Sequence, residues 1–175
     1  QHAELGYLIK GPKLDSSEFS PEDTSIRRLS ENVDITFEEL LRGKLSFGAI
    51  LEEEGYEAVP SKSKPGPDGE PYYSGGDNTR MHGSRSGGNT DAIQIESPSS
   101  FRSEEKRGAY AKALAKSIKR YMEAHYGFKG NSTLVKEMEA KAAAGGASSV
   151  SSIHTGVSIC AAFFAVLYGL CKFEH

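Results

Sequence analysis

The sequence predicts an α/β fold, and three stretches of its 175 residues carry that expectation. Residues 91–97, Asp-Ala-Ile-Gln-Ile-Glu-Ser, alternate apolar and polar side chains, the period of a half-buried strand. Residues 103–126 place Tyr110, Leu114, Ile118, Tyr121 and His125 on one helical stripe. Residues 4–10, Glu-Leu-Gly-Tyr-Leu-Ile-Lys, form a second strand-like run that Gly11 and Pro12 close. A striped helix beside two strands has to bury its stripe against a sheet or another helix.

The remaining elements follow in order. Residues 15–34 are polar and predict a loop, with a helical turn at Pro21-Glu22-Asp23. Thr36-Phe-Glu-Glu39 is a capping-box pattern ahead of Leu40 and Leu41. Ser46 is placed to cap a second short helix through Phe47, Ile50 and Leu51, which Gly55 ends. Pro60, Pro65, Pro67 and Pro71, with Gly66 and Gly69, make residues 60–71 a connecting loop within one domain. In the strand at 91–97, Ile93 and Ile95 face one side and Gln94 and Glu96 the other, and Pro98 stops it. Ser103 is the expected cap of the long helix, with Glu104 and Glu105 suiting its positive end and Gly127 its stop. Residues 134–144, rich in Ala, Lys and Glu, predict a further helix or a stalk. No internal repeat is present.

Composition narrows the function. Lys and Arg number 21 against 24 Asp and Glu, a net charge of −3, which argues against a nucleic-acid partner. Two Cys exclude a disulfide framework. Both, Cys160 and Cys171, lie in the apolar run 157–171, so the rest of the chain has no Cys for nucleophilic or zinc chemistry.

The chemistry-bearing segment is residues 71–96. It packs Gly75-Gly76, Gly83 and Gly87-Gly88 around Arg80, His82, Arg85, Asp77 and Asp91, and it leads into the strand that ends in Glu96. In open α/β sheets ligands bind beyond the carboxyl ends of strands. A Glu at that place is a candidate general base. Arg80 and Arg85 offer forks for a carboxylate or a carbonyl oxygen. His82 is a candidate hydrogen-bonding, proton-transferring or metal-binding group. Glu96 is equally consistent with an ion pair closing a strand end, and His82 with a solvated loop residue. The segment is not a phosphate loop, because no Gly-Lys-Ser/Thr follows the glycines and no helix start is expected there. No Gly-x-Ser-x-Gly elbow occurs.

Pro71-Tyr-Tyr-Ser-Gly-Gly-Asp-Asn-Thr-Arg80, then His82-Gly83, then Asp91-Ala-Ile-Gln-Ile-Glu96, resembles the carboxyl-terminal signature of the N-formylglutamate amidohydrolase family. Glu4-Leu-Gly-Tyr7 resembles a segment that follows a metal-binding Asp-x-His-Gly stretch in eukaryotic relatives. The likeness covers residues 4–126. It implies a three-layer phosphorylase/hydrolase-like mixed sheet with flanking helices, incomplete at the amino terminus. It also implies a zinc-dependent amidohydrolase cleaving an amide of a small carboxylate-bearing substrate. Glu96 matches the family's water-activating Glu and Arg80 its carboxylate-gripping Arg. His82 matches less closely, and Arg85 is grouped with them as substrate-binding. The family's zinc ligands precede the matched segment, so they are expected upstream of Gln1, and His2, His82 and His125 do not supply the three a catalytic zinc needs. The alternative expectation is a non-catalytic, surface-anchored binding or structural domain of the same fold.

The chain divides into residues 1–130 as the carboxyl-terminal part of such a domain, 131–156 as a polar Ala-Gly-Ser stalk or spacer, and 157–171 as a hydrophobic tail. As a helix that tail is about 22 Å long, short of a bilayer core of about 30 Å. Gly145-Gly146-Ala147, the spacer Ser148–Gly156 and the tail match a glycolipid-anchor signal with attachment at Gly145. A short membrane helix and a packed core helix are the other readings. Asn131-Ser-Thr is an N-glycosylation acceptor, which agrees with an extracellular, cell-surface location.

Overall fold

The computed structural model describes residues 1–128. The stalk 131–156 with its 134–144 helix, Asn131, Gly145 and the tail 157–171 lie outside the described residues. The fold is mixed α/β. Three strands, β1 (Ala3–Gly6), β2 (Ala58–Val59) and β3 (Gln94–Glu96), form one small mixed sheet in the order β2-β1-β3. β1 runs parallel to β2, with Ala3 opposite Ala58, and antiparallel to β3, with Leu5 opposite Ile95. Among the described residues no helix is long and apolar enough to cross a membrane.

Among the described residues seven α-helices accompany the sheet. They are α1 (Gly11–Ser16), α2 (Arg27–Ser30), α3 (Phe37–Arg42), α4 (Phe47–Glu53), α5 (Asp77–His82), α6 (Ser99–Arg102) and α7 (Arg107–Tyr126). One sheet face and the apolar sides of α3, α4 and α7 share a core of Leu5, Leu40, Leu41, Phe47, Ile50, Leu51, Tyr110 and Tyr121. Phe47 meets Tyr121 edge-on at 5.6 Å, which fixes α4 against α7. Of the expected stripe of α7, Tyr110 and Tyr121 are buried and Leu114, Ile118 and His125 half-buried, while Ala113, Ser117 and Met122 are the helix's other buried residues.

Both short-helix caps form. Thr36 Oγ1 accepts from Glu39 N at 3.2 Å and Ser46 Oγ from Ala49 N at 3.2 Å. The capping box at Thr36 is only half made, because the Glu39 carboxylate turns to Lys44 N instead. Ser46 is fully buried, so removing its hydroxyl also strands an amide away from water. Ser46→Ala is expected to lower stability by about 1.5 kcal/mol and exposed Thr36→Ala by about 0.5. Urea unfolding of the two variants checks the order.

Four expectations are corrected. The strand expected over 4–10 ends at Gly6, because Leu8 takes φ 71° and its N–H leaves the ladder for Ser74 O at 2.6 Å. Within the loop expected over 15–34, the turn at Pro21–Asp23 forms, but α1 opens at Gly11 with proline in its first turn and α2 closes the stretch. Ser103 does not cap α7: its carbonyl accepts from Lys106 N and Arg107 N, and the helix proper begins four residues later. A helix does begin after the paired glycines, since α5 starts at Asp77 directly behind Gly76.

Arg42 ties the proline-rich loop to the body. Its guanidinium donates to Leu14 O, Pro65 O, Ser17 Oγ and Glu38 Oε1, and it lies 5.2 Å over the Phe19 ring.

Candidate functional site

The sheet face turned away from the core carries the polar residues of the sequence signature. Register places Glu4 opposite Glu96 and Gly6 opposite Gln94 on this face, while Leu5 and Ile95 point to the core. Directly opposed Cβ atoms lie about 5 Å apart, so the two acidic side chains leave the sheet from neighbouring positions. Glu96 ends β3 and is exposed. Glu4 is half-buried, and its carboxylate accepts from Tyr73 N at 2.6 Å.

Residues 72–76 cross this face. Tyr72 Oη donates to Leu5 O at 2.5 Å. The crossing is possible because Gly6 has no side chain: a Cβ there meets Gly75 N at 2.5 Å, Gly75 Cα at 2.6 Å and the Ser74 carbonyl carbon at 2.8 Å. Gly75 itself sits at φ 115°, a backbone that suits only glycine. The chain then reaches Gln94. Gly76 N donates to Gln94 Oε1 at 2.8 Å, and Thr79 Oγ1 lies 3.2 Å from the same oxygen. A backbone N–H only donates, so the amide oxygen of Gln94 must face it. Gln94 thereby holds the first turn of α5 against the sheet.

α5 carries Arg80, Met81 and His82, all exposed. Arg80 Nη2 donates to Asp77 Oδ1 at 2.6 Å within the same helix, which orients the guanidinium and leaves its other donors open. His82 is the last residue of α5. Arg85 lies in the 3-10 turn Ser84–Ser86, which packs on the Pro21–Asp23 turn. There Lys13 first, with Arg85 as a smaller contribution, holds the Asp23 carboxyl below its ordinary value. The structure therefore sets Arg80 and Glu96 on elements joined through Gln94, and it sets Arg85 on the neighbouring turn beside Asp23.

A polar knot fixes that turn. Ser25 O accepts from Ser84 N and Ala92 N, and Ser25 Oγ donates to Ala92 O at 2.5 Å. Asp91 Oδ1 accepts from Ser84 Oγ at 2.7 Å and Leu29 N at 3.2 Å, and Asp91 Oδ2 from Tyr126 Oη at 3.1 Å. Burial, with Asp91 beside it, raises the Tyr126 phenol well above its ordinary value. Sequence reasoning gave no role to Gln94, Glu4, Gly6, Asp91 or Ser84. For Gln94 a signal existed, because strand alternation alone puts it on the same face as Glu96.

Among the described residues no group of three His, Cys, Asp or Glu side chains is placed to hold a metal ion. Comparison of the chain with family models, curated proteins and solved structures finds no match.

Proposed function

We propose that the chain is the carboxyl-terminal part of an N-formylglutamate amidohydrolase-like domain of three-layer fold, hydrolysing the amide of a carboxylate-bearing small molecule over the outer sheet face. The observation that carries this reading is Glu96. It is exposed at the carboxyl end of β3, on the same face as Gln94, which anchors the helix bearing Arg80. Gln94 and Glu96, two apart on that strand face, are separated by about 6.7 Å. Glu96 takes a proton from the attacking water and returns it to the departing nitrogen. Arg80, held by Asp77, offers its free donors to the substrate carboxylate. His82, exposed at the end of α5, lies two residues beyond Arg80.

The zinc that the resemblance implies has no ligand set in the described residues. The reading assigns those ligands to sequence preceding the matched block. It also assigns the tail 157–171 to a glycolipid anchor attached at Gly145, holding the enzyme at the cell surface.

The test uses the complete zinc-supplied parent protein with N-formylglutamate as substrate. Glu96→Gln is expected to lower kcat by at least about a hundredfold. Unchanged turnover removes Glu96 from the reaction and favours a binding domain that has lost the chemistry.

A further inference from the structure

We infer that Gln94 is the positioning residue for Arg80, acting through the first turn of α5 rather than by touching substrate. The inference rests on the proposed role of Arg80 as the carboxylate grip.

The geometry is specific. Gln94 Oε1 is met twice, by Gly76 N at 2.8 Å and by Thr79 Oγ1 at 3.2 Å. Gly76 is the residue before α5 and Thr79 is its third, so the two contacts bracket the helix start. Thr79 is buried and Arg80 follows it directly. α5 has only six residues, too few to hold its own shape, since short helices depend on tertiary contacts. Its start has no side-chain cap of its own. Gln94 supplies the acceptor from the neighbouring strand instead. Opposite Gln94 stands Gly6, whose missing side chain lets residues 74–75 lie close enough for the contact. The Asp77 contact that holds the guanidinium sits in the same first turn. Displacing that turn displaces Asp77 and Arg80 together.

Two substitutions separate this role from general damage. Gln94→Met keeps the length and removes the acceptor. Thr79→Val keeps the shape and removes one donor. Amide hydrogen exchange at Gly76 and Arg80 is expected to speed up tenfold or more in Gln94→Met, with exchange in α7 unchanged. Glutarate, a bare dicarboxylate, serves as the binding probe for the parent protein. Its Kd is expected to rise about tenfold in Gln94→Met, two- to threefold in Thr79→Val and about tenfold in Arg80→Ala. The Gln94→Met/Arg80→Ala double variant is expected to bind no worse than Arg80→Ala alone. Unchanged exchange at Gly76 in Gln94→Met overturns the inference. So does a loss of glutarate in Arg80→Ala that Gln94→Met does not share, or a double variant whose losses multiply. Equal glutarate binding by Arg80→Ala and the unaltered protein instead overturns the substrate role of Arg80, and the exchange measurement still decides whether Gln94 holds the helix.

Discussion

Gly6→Ala is expected to destabilise the protein by roughly 3 kcal/mol or more, toward the upper end of what overpacking costs. The added methyl group runs into the backbone of the strap, at 2.5 Å from Gly75 N and 2.6 Å from Gly75 Cα. A flexible side chain can swing away from such a contact, but the strap at 74–75 cannot. It is pinned by Ser74 O to Leu8 N, by Glu4 to Tyr73 N and by Gly76 N to Gln94. Relief requires lifting the strap, which breaks those bonds and carries α5 off the sheet. Gly108→Ala is the control. Nothing lies near its Cβ and it sits inside α7, so alanine is expected to stabilise by about 0.5 kcal/mol. Chemical unfolding of both variants reads the contrast. A Gly6→Ala protein as stable as the parent contradicts the packing described.

Asp91→Ala is expected to cost about 3 kcal/mol. Three donors converge on its carboxylate, Ser84 Oγ, Leu29 N and Tyr126 Oη, and bonds to a charged acceptor are worth about 1.5 kcal/mol or more each. Ser84 recovers part of its loss, because Ser25 O lies 3.1 Å away as a second acceptor. Asp91→Asn keeps one oxygen for Ser84 and Leu29 and is expected to cost about 1 kcal/mol. The tyrosine signals the same change: without the neighbouring carboxylate, Tyr126 is expected to titrate at lower pH than in the parent, because the charge that opposes its ionisation is gone. An Asp91→Ala protein with unaltered stability shows that the three donors find other acceptors.

The helices were legible where the sequence writes their physics locally. Thr36 and Ser46 cap as their types predict, and the stripe on α7 faces the core, with Tyr110 and Tyr121 buried and the rest half-buried. Strand β3 was legible from the alternation of Ile93 and Ile95 with Gln94 and Glu96, although only Gln94–Glu96 of the expected 91–97 forms it. β2 was not, because Ala58-Val59 is two residues long and exists only as a partner for β1. α5 was hidden for a related reason. Gly-Gly followed by Asp-Asn-Thr favours a turn, and the acceptor that starts the helix belongs to Gln94, eighteen residues on. Glu96 and Arg80 were singled out by residue type and position. What joins them is an opposing glycine and a strand-borne amide, and neither announces itself in a linear reading.

β1 occupies the middle of the sheet yet lies at positions 3–6, while its neighbours come from positions 58–59 and 94–96. Almost no part of the sheet is a local pairing. Closing such distant contacts costs chain entropy before the contacts repay it, so folding of this kind is slow. β2 and the helices before it cover part of β1, but its other edge stays open until residues 94–96 pair with it. The same segment that ends in the proposed catalytic glutamate is thus the last clasp of the sheet. A chain cut short before Gln94 leaves that one edge of β1 without its partner, the kind of open edge that invites pairing with another chain.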